Sequence, residues 1–221
     1  MAKHKAKLLN SEKSQQLLKV SLDLFLEKGF ENVTVRDIVT AANSSMGNLY
    51  FHFDNKLDIL RFISRKYLDT LQEKTQSNLE LPYDPHIKFC IDLKGGLITT
   101  LEDPKLSKLF LLVRELPEMR KHSIENKKHR LQTFFKNKHS EEEAKTLAVA
   151  LQGISDAFFK IRFEEYLEIP VNQFSNQIIK YNLLLLGYSK PEVENAIKTV
   201  DQYFRENTYR LSFDQVIESM L

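Results

Sequence analysis

Residues 44–56 hold the side chains of this chain that are best suited to chemistry, and their spacing is that of a short helix. The segment reads SSMGNLYFHFDNK. Leu49 and Phe53 are four residues apart, so one face of this helix would pack into a core. Solvated helix faces normally carry Glu, Lys and Gln, and this helix departs from that rule. The side chains left for its exposed face are Met46, Asn48, Tyr50 and His52.

These residue types fit the grooves and phosphates of DNA. An Asn amide can read base edges, while Tyr and His can donate hydrogen bonds to phosphates. Gly47 lets another backbone approach closely, and Lys56 starts the next helix beside N–H groups that favour an anion. Thr34 and Arg36 open the preceding helix and could hold phosphates on the other side. The alternative interpretation is a packed helical turn whose polar residues are incidental.

Two further helices have the signals needed to position this segment. Apolar residues recur at helical spacing between Ser11 and Lys28, and Gly29 follows where helices commonly end at positive φ. Thr34 is a good N-cap for a short second helix. That helix ends near Asn43, a residue type that tolerates left-handed geometry. A bracing helix followed by two short helices around a tight turn predicts a helix-turn-helix.

The composition excludes most other fold classes. Of 221 residues, 42% are hydrophobic and 28% charged, and there are only six Gly and six Pro. Sheets need many more tight turns, so we expect an all-helical protein. The net charge is +2, but residues 1–70 contain eleven Lys or Arg and eight Asp or Glu. This basic end, with Lys3, Lys5 and Lys7 in a tail, could approach an anionic polymer or simply be solvated.

Nothing in the sequence predicts a membrane, metal or catalytic function. No apolar run approaches the roughly 20 residues of a membrane span, and a lone Cys90 favours a reducing compartment. We therefore expect a cytoplasmic protein. The pairs His86 with Cys90 and His122 with His129 lack a third ligand. Phosphate loops and nucleophile motifs are absent, so we expect no cofactor, no metal, no catalytic residues and no enzyme activity.

Residues from Leu17 to Ile63 resemble the N-terminal domain of TetR-family transcriptional regulators. The matching positions are Phe25, Gly29-Phe30, Thr34-Val35-Arg36-Asp37-Ile38, Ala41-Ala42, Ser45, Gly47, Asn48-Leu49-Tyr50, His52-Phe53, Lys56 and Leu60. The resemblance implies a three-helix DNA-binding domain over residues 1–55. It also implies a helical effector-binding and dimerisation domain over residues 56–221. Asn43 and Ser44 depart from the Gly and aliphatic residue usual at the family's turn, so no operator sequence can be transferred from relatives.

The resemblance assigns DNA contacts position by position, with the recognition helix in the major groove and the flanking residues on the backbone. The implied DNA-binding residues are Thr34, Arg36, Ser45, Met46, Gly47, Asn48, Tyr50, His52 and Lys56. The partner would be a palindromic operator in double-stranded DNA, read by a homodimer.

Two apolar stripes correspond to the helices that form the family's dimer interface. The implied interface residues are Leu147, Leu151, Ile154, Phe158, Phe174, Ile178, Tyr181 and Leu185. In the family, two such helices pair with their copies across a two-fold axis to form a four-helix bundle. The alternative is that both stripes belong to the chain's own core.

A ligand pocket is implied among the helices between residues 86 and 163. Its candidate residues are Phe89, Leu93, Phe110, Arg114, Phe134, Phe158 and Arg162. Such side chains favour an apolar or aromatic small molecule, although Phe at helical spacing also forms ordinary cores. The implied function is a repressor that this effector releases from its operator. A regulator that activates or needs a corepressor, or a helical interaction protein of the same fold, remains an alternative.

Overall fold

A computed structural model describes residues 11–114, 116–135, 138–163, 168–207 and 218, without the side chains of 68, 71, 72 and 74–78. Within these ranges, every regular element is an α-helix. The helices are α1 (Glu12–Lys28), α2 (Val35–Ala41), α3 (Met46–His52), α4 (Lys56–Asn78), α5 (Pro85–Glu102), α6 (Pro104–Arg114), α7 (Pro117–Phe134), α8 (Glu141–Phe163), α9 (Val171–Leu185) and α10 (Lys190–Glu206). The Lys3, Lys5 and Lys7 tail lies outside the described residues.

The three N-terminal helices begin and end where the sequence signals predict. Ser11 caps α1 by accepting a hydrogen bond from the Ser14 amide, and Gly29 follows α1 with a φ of 81°. Asn43 takes the left-handed backbone conformation at the turn, with a φ of 46°. The Ser44 amide donates to the Val39 carbonyl over 2.8 Å, which closes the C-terminus of α2. The turn is therefore built without the glycine usual at this position.

Helix α4 connects the N-terminal helices to the rest of the chain. Its residues Leu60 and Ile63 belong to the same buried cluster as Leu17 and Phe25 of α1. This cluster also takes in side chains of α6 and α7, among them Leu109. A continuous core thus crosses residue 56, so the N-terminal helices rest directly on the C-terminal ones.

The C-terminal helices enclose a second core, against which α10 is packed. Val193, Ala196 and Val200 of α10 are buried in a cluster with residues of α5 and α9. A fully buried Lys94 of α5 reaches Asp201 of α10 and donates to the Asn176 side chain over 2.8 Å. Helix α10 is therefore fixed to the chain's own core by both apolar and charged contacts.

Two C-terminal helix ends are marked by a change in the backbone. Helix α7 ends at Phe134, because Phe135 leaves helical geometry with a ψ of 47°. Helix α10 ends at Glu206, and residues 208–217 lie outside the described part of the chain. None of the described helices has the length and apolarity needed to cross a membrane.

Candidate nucleic-acid interface

Local capping fixes helix α3 in place. The Ser45 hydroxyl accepts from the Asn48 amide over 3.1 Å, and the Asn48 side chain donates to the Ser44 hydroxyl over 2.8 Å. Leu49 and Phe53 are both buried in the N-terminal core, as their spacing predicts. Because a seven-residue helix has little stability of its own, these caps and two apolar anchors set its orientation.

The outward face of α3 is apolar and aromatic. Tyr50 is 51% exposed, Phe51 62% and Met46 41%. Phe51 is the residue that sequence reasoning missed, although its position four residues after Gly47 placed it on the outward side. Large exposed apolar side chains on a short, capped helix indicate a surface that a partner covers. These three residues are called the α3 face below.

His52 does not lie on the exposed face, so the expectation that it faces outward is wrong. It is only 5% exposed and sits three residues after Leu49, on the inward side of α3. Its Nδ1 has no hydrogen-bond partner among the described residues. Burial lowers the pKa of His52, which favours the neutral ring in the folded protein.

Lys56 also differs from its predicted role. Its ammonium donates to the carbonyls of Phe30, Glu31 and Val33 over 2.8, 3.3 and 3.0 Å, and it lies 4.5 Å from the centre of the Phe30 ring. All three donors of the ammonium are thereby used within the protein. Lys56 fastens the loop between α1 and α2 to the start of α4, an arrangement that does not fit the expected phosphate contact.

Thr34 and Arg36 stand at the exposed start of α2. The Thr34 hydroxyl and amide donate to the Asp37 carboxylate over 2.6 and 2.8 Å, and the Asp37 amide donates back to Thr34 over 3.2 Å. These hydrogen bonds lower the pKa of Asp37. The capping box orders the first turn of α2, from which the exposed Arg36 points away from the core.

A polar depression lies beside α3 and adds a cation that sequence reasoning missed. Its volume is about 340 Å³. Ser44, Ser45 and Asn48 line it together with Lys13 and Gln16 of α1. Lys13 follows the Ser11 cap closely, and an exposed cation in the first turn of the bracing helix was the available signal. Lys13 and Arg36 thus bring positive charge to the same end of the molecule as the α3 face.

A separate cavity of about 140 Å³ lies among α4–α8. Of the predicted ligand-binding residues, Leu93, Phe110 and Arg114 line it. Phe89 and Phe134 are buried in the second core instead. These residues are therefore not brought together in one pocket.

The other two predicted pocket residues lie near α9. Phe158 contacts the Phe174 and Tyr181 rings, with ring centres 5.9 and 5.8 Å apart. Arg162 donates to the Ile169 carbonyl over 2.7 Å. Neither residue lines the cavity.

The predicted dimer stripes divide between core and surface. Leu151, Phe174 and Ile178 are buried within the chain, so the expectation that they face a partner is wrong for them. Leu147, Ile154 and Phe158 are half-buried. Tyr181 and Leu185 of α9 are exposed, and Val149 and Ile161 of α8 add exposed apolar surface that was not predicted.

Among the described residues, no three His, Cys, Asp or Glu side chains are grouped to hold a metal ion.

Comparison with known proteins finds relatives of the N-terminal segment. Residues 17–62 match the model for bacterial regulatory proteins of the tetR family. Over 61 residues, 28% of this chain, the sequence is 43% identical to the HTH-type transcriptional repressor KstR2 of Rhodococcus jostii. That alignment covers only 30% of the Rhodococcus protein.

Solved structures share the fold over most of the chain. The repressor SmeT of the Stenotrophomonas maltophilia efflux pump SmeDEF aligns with a TM-score of 0.63, at 18% identity over 80% of this chain and 91% of SmeT. A TetR-family transcriptional regulator of Pectobacterium atrosepticum aligns with a TM-score of 0.57, at 20% identity over 82% of this chain and 94% of its own. The N-terminal segment is therefore similar to bacterial regulatory proteins of the tetR family, and the described part of the chain shares the fold of these solved structures.

Proposed function

We propose that this protein is a sequence-specific DNA-binding regulator that acts as a repressor. The observation that carries the proposal is the α3 face, where Met46, Tyr50 and Phe51 are exposed on a capped helix whose other side is fixed in the core. A helix placed in this way can enter the major groove, which is wide enough to admit it. The KstR2 and SmeT proteins, which are named as repressors, favour the same function.

The proposed contact of each side chain follows from the surface and the hydrogen-bonding groups that it does not use within the protein. The α3 face and the Asn48 amide would meet base edges, with Gly47 and Ser45 close to the backbone of the DNA. Arg36 and Lys13 would contact phosphates on either side, while Thr34 would order the first turn of α2, because its hydroxyl and amide already donate to Asp37. Phosphate contacts supply much of the affinity and fix the register of the helix. Lys56 and His52 would act indirectly, by holding the loop and α3 in position.

The DNA-binding unit would be a homodimer that reads a palindrome. One short recognition helix contacts few base pairs, whereas two helices about 34–36 Å apart contact successive turns of one face of DNA. The exposed residues Val149 and Ile161 of α8, with Tyr181 and Leu185 of α9, supply apolar surface for a two-fold four-helix interface. We place the DNA-binding domain at residues 1–55 and the effector and dimerisation domain at 56–221.

Helix α4 would couple an effector to DNA binding. At its start, Lys56 holds the loop that precedes α2. Further along, Arg61 pairs with Glu118 of α7, and the Tyr67 hydroxyl lies 2.7 Å from that of Thr100 in α5. Tyr67 also lines the 140 Å³ cavity. A ligand that moves α4 would therefore change the spacing of the two recognition helices, and a coupling of about 1–3 kcal/mol would weaken operator binding about 5–150-fold.

The experiment that tests DNA binding is selection of bound duplexes from a random pool by the full chain. We expect enrichment of a palindrome, loss of enrichment with Tyr50→Ala and partial retention with Tyr50→Phe, which keeps the ring. No enrichment at low salt by folded, dimeric protein would contradict the proposal and favour the helical interaction protein.

The experiment that tests the dimer uses Gly153, which lies on the exposed side of α8 with nothing within 4 Å of a Cβ added to it. Gly153→Leu should leave the fold of the monomer intact and shift the sedimentation of the protein from dimer to monomer. An unchanged dimer would place the interface elsewhere.

A further inference from the structure

The cavity among α4–α8 has one apolar wall and one polar wall. Leu93 and Leu97 of α5, with Phe110 and Val113 of α6, form the apolar wall. The polar wall comes from α7, where Arg120, Ser123, Lys127 and Arg130 follow one another at intervals of three and four residues. That spacing places all four side chains on one helix face, of which Arg120 is exposed while Lys127 and Arg130 are partly buried beside the cavity. Cations that lose hydration in this way are costly to keep unless something pairs with them.

The carboxylates of the described residues neutralise only part of this wall. Asp156 of α8 accepts from Arg114 over 3.2 Å and from the Gln152 amide over 2.9 Å. It lies 3.8 Å from Arg120, whose side chain is largely exposed. Arg130 pairs with the buried Asp92 of α5 over 2.7 Å. Among the described residues, two carboxylates therefore face four cations, counting Arg114, and leave a surplus of positive charge at the cavity.

Among the described cations that line the cavity, Lys127 is the one without a hydrogen bond or ion pair. Loss of hydration is the largest cause that lowers the pKa of Lys127, the charge of Arg130 adds to it and that of Asp156 opposes it, and together they bring this pKa to about 8. The ammonium thus remains mostly protonated at neutral pH, while no carboxylate of the described residues forms an ion pair with it. Its neighbour Lys128 differs, because it pairs with Glu125 over 2.9 Å and does not line the cavity.

The size of the cavity limits what it can hold. Its volume is about 140 Å³. Apolar cavities of roughly 150 Å³ bind benzene, so one ring or a short branched chain is the largest body that fits without movement of the walls. The apolar wall suits such a body, and Lys127 would meet a charged group at the opposite side.

On this basis we propose that the cavity binds a small monocarboxylate with an apolar body of about one ring, and that Lys127 is the side chain that recognises its carboxylate. This rests on the proposed function only in making the ligand an effector; the binding itself does not depend on DNA. It modifies the expectation of an apolar or aromatic effector by adding a required negative charge. A carboxylate would supply Lys127 with its missing acceptor, and charge-assisted hydrogen bonds are among the strong ones.

The test compares benzoate with benzamide, which has the same shape and no charge, by calorimetry on the full-length protein without DNA at pH 7. We expect benzoate to bind at least about tenfold more tightly than benzamide, the scale of one charge-assisted hydrogen bond. Lys127→Met should remove this preference, while Lys128→Met, the adjacent lysine on the same helix, should keep it. Equal binding of the two probes, or loss of the preference with Lys128→Met alone, would overturn the proposal.

Two further arms locate and define the site. Gly96 lines the cavity, and a Cβ added there meets nothing within 4 Å, so Gly96→Leu should fill the space and abolish binding of benzoate. Retained benzoate binding in that variant would place the site elsewhere. Tighter binding of phenyl phosphate than of benzoate would overturn the assignment to a carboxylate.

The pH dependence provides an independent check. The charged groups facing Lys127 are Arg120 and Arg130 of its own helix, Asp156 of α8 and Arg114 of α6. Since only protonated Lys127 attracts the anion, benzoate affinity should fall as the pH rises from 7 to beyond about 9. Because calorimetry is done without DNA, failure of this inference leaves the result of duplex selection untouched, and the reverse also holds.

Discussion

Helices α3 and α7 both depart from the usual distribution of polar and apolar residues, and they do so in opposite directions. Helix α3 turns Tyr50 and Phe51 toward solvent. Helix α7 turns Lys127 and Arg130 toward the interior. Each departure costs free energy in the isolated protein, since apolar surface stays wet in one case and charge loses hydration in the other. Departures of this kind are expected where a partner covers the apolar surface or a ligand pairs with the charge.

The two helices differ in how readily their departure can be recognised. Helix α3 is seven residues long, is capped by Ser45, and has its anchors Leu49 and Phe53 within it. Its exposed face therefore follows from local spacing. Helix α7 is polar over most of its length, and such a helix is ordinarily a solvated one. Which of its faces lies inward depends on where α5, α6 and α8 pack.

The largest expected effect separates the two sides of α3. Phe53→Ala should lower the free energy of unfolding by about 3–5 kcal/mol, because it leaves a cavity in the N-terminal core. Phe51→Ala should leave the free energy of unfolding nearly unchanged, while operator affinity falls roughly tenfold, the scale of one groove contact. Urea unfolding and DNA titration measure the two quantities. If Phe51→Ala destabilises as much as Phe53→Ala, the α3 face is not free surface.

A smaller effect distinguishes positioning residues from DNA contacts. Lys56→Met should lower the free energy of unfolding by about 1–3 kcal/mol, because the carbonyls of Phe30 and Val33 lose a charged donor. It should leave the slope of log affinity against log salt unchanged. Arg36→Met should instead preserve stability and reduce that slope by about 1. A reduced slope with Lys56→Met would instead indicate that Lys56 contacts a phosphate, as the sequence predicted.

Removing the charge of Lys127, on the cavity side of α7, should stabilise the folded protein. Lys127→Met should raise the free energy of unfolding by about 1 kcal/mol, a stability gain of the kind obtained by relieving a functional site. The folded-state pKa of Lys127, about 8, lies below the ordinary value of 10.5. Between these values the unfolded chain holds more protons, so the stability of the unmodified protein should rise with pH from about 8 to 10. The variant should lack this rise, and a loss of stability in it would contradict the role given to Lys127.

The smallest effect concerns His52, on the inward side of α3. Burial lowers the pKa of His52, so the unfolded chain takes up a proton more readily than the folded one. Stability from the neutral ring is therefore present above pH 6.5 and declines as the pH falls below it. His86, whose pKa is also lowered chiefly by burial, acts in the same direction. Between pH 7.5 and pH 5, the midpoint temperature of thermal unfolding should fall less steeply in His52→Gln than in the unmodified protein. It should fall still less steeply when His86→Gln is added.

Short-range signals in the sequence determined the N-terminal part of this protein. The Ser11 and Thr34 caps, the positive φ at Gly29 and Asn43, and the anchors of α3 each depend on residues within a few positions of one another. Helical spacing and terminal signals are local, so their interpretation held. The all-helical fold and the family motif could be predicted for the same reason.

Only the tertiary structure decided the features that join distant segments. Lys56 contacts carbonyls 23 to 26 residues before it, and no periodicity encodes that distance. Leu151 and Ile178 lie in the apolar stripes predicted for a dimer interface, yet the packing of the chain's own helices buries them. The cationic wall of the cavity exists because α7 turns its charged face toward α5 and α8. A helical pattern states which residues share a face, but only packing against other helices determines whether that face meets water, core or ligand.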